Sequence, residues 1–155
     1  MREILFRGKR IDNGEWVCGL PTRQPANVNT INAILCGGYF DNDFGTVCGH
    51  YEKVDPATIS QYTGLSDKNG KKIFEGDIIS LVNADYEEIK VVCDFGTARR
   101  EIYGNLVDIV GFYFKLPNGK KSFPIVSNYL GKHDLEIFEV TGNIHDNPEL
   151  LTVTP

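Results

Sequence analysis

The stretch that decides the fold runs from residue 58 to residue 74 and reads TISQYTGLSDKNGKKIF. It begins with a β-prone run, 58–63, and ends on the apolar residues Ile73 and Phe74. Between them lies the pair Asn69-Gly70, and both residue types adopt positive φ at low cost, as a tight hairpin turn requires. The stretch therefore predicts two antiparallel strands joined by a short turn.

The same pattern recurs on both sides of this hairpin. Upstream, the runs 4–6 and 15–19 flank turn residues at 12–14, and 31–36 is a further candidate strand. A last strand is predicted over 135–141, followed by one helical turn over 146–151 with proline in its first position. Downstream of the central hairpin, two more hairpins are predicted, from 78–82 with 89–95 and from 109–116 with 120–126.

Composition indicates a mainly β protein. Sixteen glycines and seven prolines punctuate the 155 residues, and nine Phe and seven Tyr enrich the runs between them, which favours strands over long helices. A chain of this length favours one domain. We therefore predict a single domain over 1–155, a small twisted antiparallel sheet or barrel with little helix and irregular elaborations at 20–53 and 96–108. A helical insertion at 99–106 is an alternative for the second elaboration.

Charge and apolar content restrict the classes of function. Sixteen Lys and Arg against twenty-one Asp and Glu give a net charge of −5, which argues against a nucleic-acid grip by the whole surface. The chain shows neither a signal peptide nor a membrane-spanning run, so we expect a cytoplasmic protein without a membrane partner. In that reducing compartment Cys18, Cys36, Cys48 and Cys93 are expected to be thiols buried by packing.

Three segments carry a resemblance to a known family. They are 54–65 (VDPATISQYTGL), 67–78 (DKNGKKIFEGDI) and 140–151 (VTGNIHDNPELL), with shorter matches at 6–9 and 16–19. Together they resemble the YopX-like family, small proteins found mostly in bacteriophages and prophages. The resemblance implies a mainly β fold and a phage or prophage origin, hence the cytoplasm of a bacterial host. It implies no established activity and no catalytic residue.

Two sets of side chains are candidates for metal binding. Glu75 and Asp77 are two apart and share one face of a strand, and with Asp67 they would bind a divalent cation or act as an acid–base pair. The alternative is that these carboxylates shape bends and accept backbone N–H bonds. Cys36, Cys48 and His50 are a zinc alternative, weakened because their spacing differs from that of zinc fingers. We predict no cofactor.

Lysines at two predicted hairpin tips are candidates for nucleic-acid contact. If the tips lie side by side, their positive charge next to aromatic rings would hold a single strand. The alternative is that lysines at such tips keep the protein soluble and protect sheet edges. The residues are Lys68, Lys71, Lys72, Lys120 and Lys121.

The preferred functional prediction is an accessory protein without enzymatic activity, a protein-binding or self-associating module. Its partner is expected to be a host or phage protein, or a second copy of the chain. The bend at 37–45 and the edge strand around Pro124 are the candidate contact surfaces. A nucleic-acid-binding module and a metal-dependent enzyme are the alternatives.

Overall fold

The computed structural model describes residues 3–22, 32–37, 40–42, 45–47, 50–82, 87–122 and 137–152. These residues form antiparallel strands and two single 3-10 turns, Pro56–Thr58 and Pro148–Leu151, and contain no α-helix. The predicted mainly β class is confirmed. In chain order the strands are β1 Phe6–Lys9, β2 Trp16–Thr22, β3 Ala33–Leu35, β4 Phe40–Asn42, β5 Gly45–Val47, β6 Tyr51–Lys53, β7 Ser60–Ser66, β8 Lys72–Phe74, β9 Asp77–Val82, β10 Glu88–Ile102, β11 Asn105–Lys115, β12 Lys121–Ser122 and β13 Glu139–Asn143.

The chain divides into two compact units, Met1–Tyr62 and Thr63–Pro155, and the boundary falls inside β7. In the first unit the strand order is β6-β3-β2-β1, with the start of β7 beside β1. Strands β4 and β5 pair separately within the predicted elaboration 20–53. The prediction of one domain over the whole chain stays a prediction.

The first unit is built around very close approaches of strands. Ala33, Ile34 and Val54 are buried, and Val54 packs against Gly8 on β1. At Gly19 on β2, an added Cβ would lie 1.9 Å from the backbone oxygen of Leu35 on β3. Glycine is required there because no side chain fits between the two backbones.

The second unit contains a five-stranded antiparallel sheet in the order β12-β11-β10-β9-β13. The end of β7 and β8 form the hairpin predicted at Asn69-Gly70, and Gly70 has φ +80°. Neither this sheet nor that of the first unit closes into a barrel within the described ranges. One face of the sheet holds a core cluster of Ile73, Ile79, Val91, Cys93, Phe112, Phe114, Phe138 and Val140.

Two predictions need correction. The stretch 96–108 is neither irregular nor helical: it belongs to β10 and β11, which pair without interruption from Val92 opposite Lys115 to Ile102 opposite Asn105. Not all the cysteines are buried, because Cys18 and Cys36 are exposed whereas Cys93 lies in the core. An apolar neighbour in sequence does not bury a thiol when alternate residues face opposite sides of a strand.

Helices of the described residues are too short to cross a membrane. The structure contains only the two 3-10 turns named above in its described part, three and four residues long. The second of these matches the helical turn predicted around Pro148.

Candidate functional site

Asp67 satisfies the backbone of its own hairpin and of a distant strand. Its Oδ1 accepts N–H bonds from Asn69 at 2.8 Å and Lys71 at 2.9 Å, and its Oδ2 accepts one from Val140 on β13 at 3.0 Å. The side chain is buried. Burial raises the pKa of this carboxyl, but the bonds from Val140, Lys71 and Asn69 outweigh it and hold the pKa below its ordinary value of 3.8. Asp67 is therefore a structural carboxylate in this arrangement.

The stability of the protein is expected to depend on pH through Asp67. Because its folded-state pKa is depressed, the contribution of the carboxylate is fully present above the unfolded-state value of about 4 and is lost as the pH falls through the folded value. In urea unfolding between pH 7 and pH 2, we expect the difference between wild type and Asp67→Asn to be constant above about pH 5 and to shrink below about pH 4. A difference that stays constant down to pH 2 would contradict this assignment.

Asp77 and Gly76 shape the next bend. The Asp77 Oδ2 accepts the N–H of Phe74 at 2.8 Å, and Asp77 is almost completely buried. Gly76 has φ +79°, donates its N–H to Cys93, and accepts the N–H of Ile144. Within the described residues no three His, Cys, Asp or Glu side chains are grouped so that they could hold a metal ion.

The C-terminal part of the resemblance also builds a turn. The Asn143 Oδ1 accepts N–H bonds from His145 and Asp146, while its Nδ2 donates to the Asp146 carboxylate at 2.8 Å. An added Cβ at Gly142 would lie 2.5 Å from the Oδ1 of Asn147, so a larger residue there would displace the Asn147 side chain. The residues that carry the family pattern at this end therefore hold backbone together.

Two of the three residues of the zinc alternative, Cys36 and His50, are described. The Cys36 N–H donates to the backbone oxygen of His50, and the His50 ring nitrogen contacts Glu52 at 2.5 Å. Desolvation of the sulfur, followed by the negative charge of Glu52, raises the pKa of the Cys36 thiol, which disfavours the thiolate that binds metals and attacks electrophiles. Cys48 lies outside the described residues.

The lysines of the two hairpin tips lie at opposite edges of the five-stranded sheet. Lys68 pairs with Glu139 at 2.6 Å, and the Lys71 ammonium lies 3.4 Å from the Val140 oxygen, so both contact the β13 edge. Lys121 lies on β12, four strand spacings away, or about 19 Å in a flat sheet. The structure does not bring the lysines into one patch. Lys72 and Lys120 belong to the same two hairpins, beside Lys71 and Lys121 respectively.

The most unusual surface is a hairpin that extends past its neighbours. Among described strands, β9 pairs with β10 only up to Val92, and β12 pairs with β11 only at Phe114 and Lys115. We call residues 97–110, the part of this hairpin beyond both neighbours, the arm. Six cross-strand pairs at about 3.3 Å per residue make the arm about 20 Å long.

The core face of the sheet continues along the arm and becomes exposed. Val91 and Cys93 are buried on this face, and because alternate residues share a face, Phe95 follows on β10. On β11, Phe112 is succeeded toward the tip by Val110, 64% exposed, and Leu106, 72% exposed. The arm therefore presents to solvent a surface that is packed in the rest of the sheet.

A tight turn forms the tip of the arm, and an ion pair lies at its centre. Tyr103 and Gly104 form a two-residue turn with φ +51° and +78°, and the Tyr103 side chain is 100% exposed. At the centre, Arg99 on β10 donates two hydrogen bonds to Asp108 directly opposite on β11, at 2.8 and 3.0 Å.

The base of the arm is fixed by contacts on the opposite face. The Tyr113 hydroxyl donates to Asp94 at 2.6 Å, and burial, then Asp94, raises the pKa of Tyr113 to about 12. The Lys121 ammonium lies 4.6 Å from the centre of the Tyr113 ring and 3.3 Å from the Thr97 oxygen. On the core face, Phe95 and Phe112 contact edge to face at 5.1 Å. These contacts fix the orientation of the strands that lead into the arm.

The family model for the YopX protein matches residues 5–152. The chain belongs to the YopX family. The crystal structure of protein EF1440 from Enterococcus faecalis is similar to this YopX chain, with a TM-score of 0.59 and 23% identity over 98% of this chain and all of that one, which shows a shared fold. No curated protein matches the chain. The suspected resemblance is thereby confirmed.

Sequence reasoning missed the arm as a site. The signal for the arm in the sequence is the alternation of apolar Leu106, acidic Asp108 and apolar Val110, together with the basic Arg99 earlier in the chain. The contact surfaces predicted instead lie largely outside the described residues, since Tyr39, Phe44 and Pro124 are not among them.

Proposed function

We propose that this YopX protein is a non-enzymatic accessory protein of a bacteriophage or prophage that acts in the bacterial cytoplasm by binding another protein. The observation that carries the proposal is the arm, an oriented hairpin that exposes the large side chains of Tyr103, Leu106 and Val110 to solvent. Family membership supports the phage or prophage origin. The carboxylates Asp67 and Asp77 are engaged with backbone N–H groups, which supports a non-enzymatic role.

The composition of the arm supports a protein partner. Interface centres are poor in unbalanced charge and rich in aromatic and apolar residues. Tyr103, Leu106 and Val110 are exposed, and the sequence of the arm has two basic residues, Arg99 and Arg100, against two acidic ones. A nucleic-acid surface would need an excess of positive charge to release counterions.

The rigid base supports binding as well. A two-stranded ribbon alone is marginally stable in water, so a free arm would have to be ordered at a cost when it binds. The Asp94–Tyr113 bond and the Lys121 contacts fix the strands that lead into the arm. The arm then loses less conformational entropy when a partner binds it.

A capture experiment with matched variants tests the proposal. Tagged wild type, the double variant Leu106→Ser with Val110→Ser, and the control Ile11→Ser are mixed with extract of a lysogenic host. Ile11 is 64% exposed, as Val110 is, but lies outside the arm. We expect proteins retained by wild type and the control to be reduced roughly tenfold or more with the arm variant, as for loss of interface anchors.

One outcome would contradict the proposal. If the folded arm variant, checked by circular dichroism, retains the same proteins in the same amounts as wild type, the arm is not the binding surface. The control guards against a general effect of removing exposed apolar groups.

A further inference from the structure

We propose that a groove in the second unit, outside the arm, binds a small molecule that joins one anionic group to an apolar body. The groove has a volume of about 740 Å³, which is within the usual range for small-ligand sites. Residues of β10, the end of β11 and the Pro148–Leu151 turn line it. Because the groove shares no residue with the arm, this site and the surface proposed for protein binding are independent of each other.

Two lysines on one face of the sheet supply positive charge to the groove. Lys115 lies directly opposite Val92, and Lys90 stands two residues before Val92 on β10, so all three side chains project from the same face. Residues in this diagonal relation lie about 7 to 8 Å apart, which lets both ammonium groups reach one anion. Two like charges at this spacing repel each other, and a bound anion removes that repulsion.

Neither lysine of the groove forms an ion pair with an acidic side chain among the described residues, unlike Lys68, which pairs with Glu139. The carboxylate that lines the groove, Glu88, instead accepts the hydroxyl of Ser80 at 2.6 Å. The chain as a whole has twenty-one acidic side chains against sixteen basic ones. Two unpaired lysines in one groove of such an acidic chain favour an anion that comes from outside it.

Apolar side chains form other parts of the groove. Val92 lies on its floor beside the two lysines, and Leu150 and Leu151 come from the C-terminal turn, where Leu151 is 38% exposed. An apolar body packed against the leucines removes their surface from water, which is favourable in proportion to the area covered. The combination of lysines and leucines fits an amphipathic anion, an alkyl carboxylate or an alkyl phosphate.

Titration of the full chain with octanoate, followed by NMR of the valine and leucine methyl groups, tests the inference. We expect saturable shifts at Val92, Leu150 and Leu151. A second titration with octyl phosphate shows which of the two head groups the groove prefers. Acetate lacks the apolar body and 1-octanol lacks the charge, so we expect each to bind at least about tenfold more weakly than octanoate.

Lysine variants show whether the groove holds the anion. Lys90→Met and Lys115→Met are each expected to weaken octanoate binding roughly tenfold, whereas Lys90→Arg keeps the charge and the binding. Lys120→Met is the matched control, because Lys120 is exposed and lies outside the groove. It is expected to bind octanoate as wild type does.

Three results would overturn the inference: methyl shifts that do not saturate or that fall outside the groove, 1-octanol that binds wild type as tightly as octanoate, or methionine variants that bind octanoate as tightly as Lys120→Met does. The comparison of ligands uses wild type alone, so it decides the question even if a variant fails to fold. Capture of proteins by the arm is measured separately, and its failure would leave this site in place.

Discussion

Replacing Asp67 with alanine is expected to lower the free energy of unfolding by about 4 kcal/mol, measured by urea denaturation at pH 7. The carboxylate accepts three N–H bonds, two within its hairpin and one from Val140, 73 residues away. Alanine leaves these donors without an acceptor in a buried place, and each such donor costs about 1 to 3 kcal/mol. Loss of the link to β13 also weakens the edge of the sheet.

Two further variants separate this effect from a general loss of charge. Asp67→Asn keeps one acceptor oxygen and is expected to lose about half as much stability as alanine. Asp108→Asn removes an exposed carboxylate and is expected to change stability by less than about 1 kcal/mol. An alanine variant at position 67 that is destabilised no more than Asp108→Asn would mean that the three bonds contribute little.

Gly19→Ala is expected to destabilise the first unit by about 3 kcal/mol or more. The added Cβ would overlap the Leu35 backbone oxygen at 1.9 Å. Because the clash is with backbone, no side-chain rotation can relieve it. The register of Leu20 with Leu35 must therefore shift or open. Amide hydrogen exchange of β2 and β3 measures the local loss, and denaturant unfolding measures the total.

Gly111→Ala is the matched control for this substitution. Gly111 also lies in a strand, but nothing stands within 4 Å of an added Cβ and its φ is not positive. We expect a change within about 0.5 kcal/mol, since alanine also restricts the unfolded chain. Equal behaviour of the two variants would show that β2 and β3 do not approach as closely as described.

Local turn chemistry made part of the fold predictable. Asn69-Gly70 and Asn118-Gly119 are hairpin turns whose glycines have φ +80° and +78°, as their sequences indicate. Both depend only on residues next to one another in the chain. The arm escaped prediction because its turn is Tyr103-Gly104, and tyrosine is not a residue that ordinarily marks positive φ.

Long-range contacts explain most of what the sequence could not reveal. The hydrogen bond from Val140 to Asp67 joins positions that no local pattern connects. From the sequence alone, Asp67 is therefore equally consistent with a metal ligand and with a residue that shapes a turn. The placement of Lys68 and Lys121 depends on strand order, which puts β13 and β12 at opposite edges. Composition and spacing contain neither fact.

Within the second unit, the segments that carry the resemblance, 67–78 and 140–151, differ from the surface proposed for binding, 97–110. Asp67, Asp77 and Asn143 hold turns and strand ends through hydrogen bonds to backbone. The arm lies between the segments 67–78 and 140–151 that carry the resemblance, within the residues 5–152 that the family model matches. Residues that carry the family pattern thus build turns and strand ends, whereas the arm is a separate exposed hairpin.

Excision of the arm tests this separation most directly. Gly96 and Gly111 are paired directly opposite each other, so replacing residues 97–110 by Asn-Gly closes the hairpin with a two-residue turn. We predict that the shortened chain unfolds with the free energy of wild type to within about 1 kcal/mol, and that it does not capture the partners of wild type. A shortened chain that folds and still binds as wild type does would contradict the account.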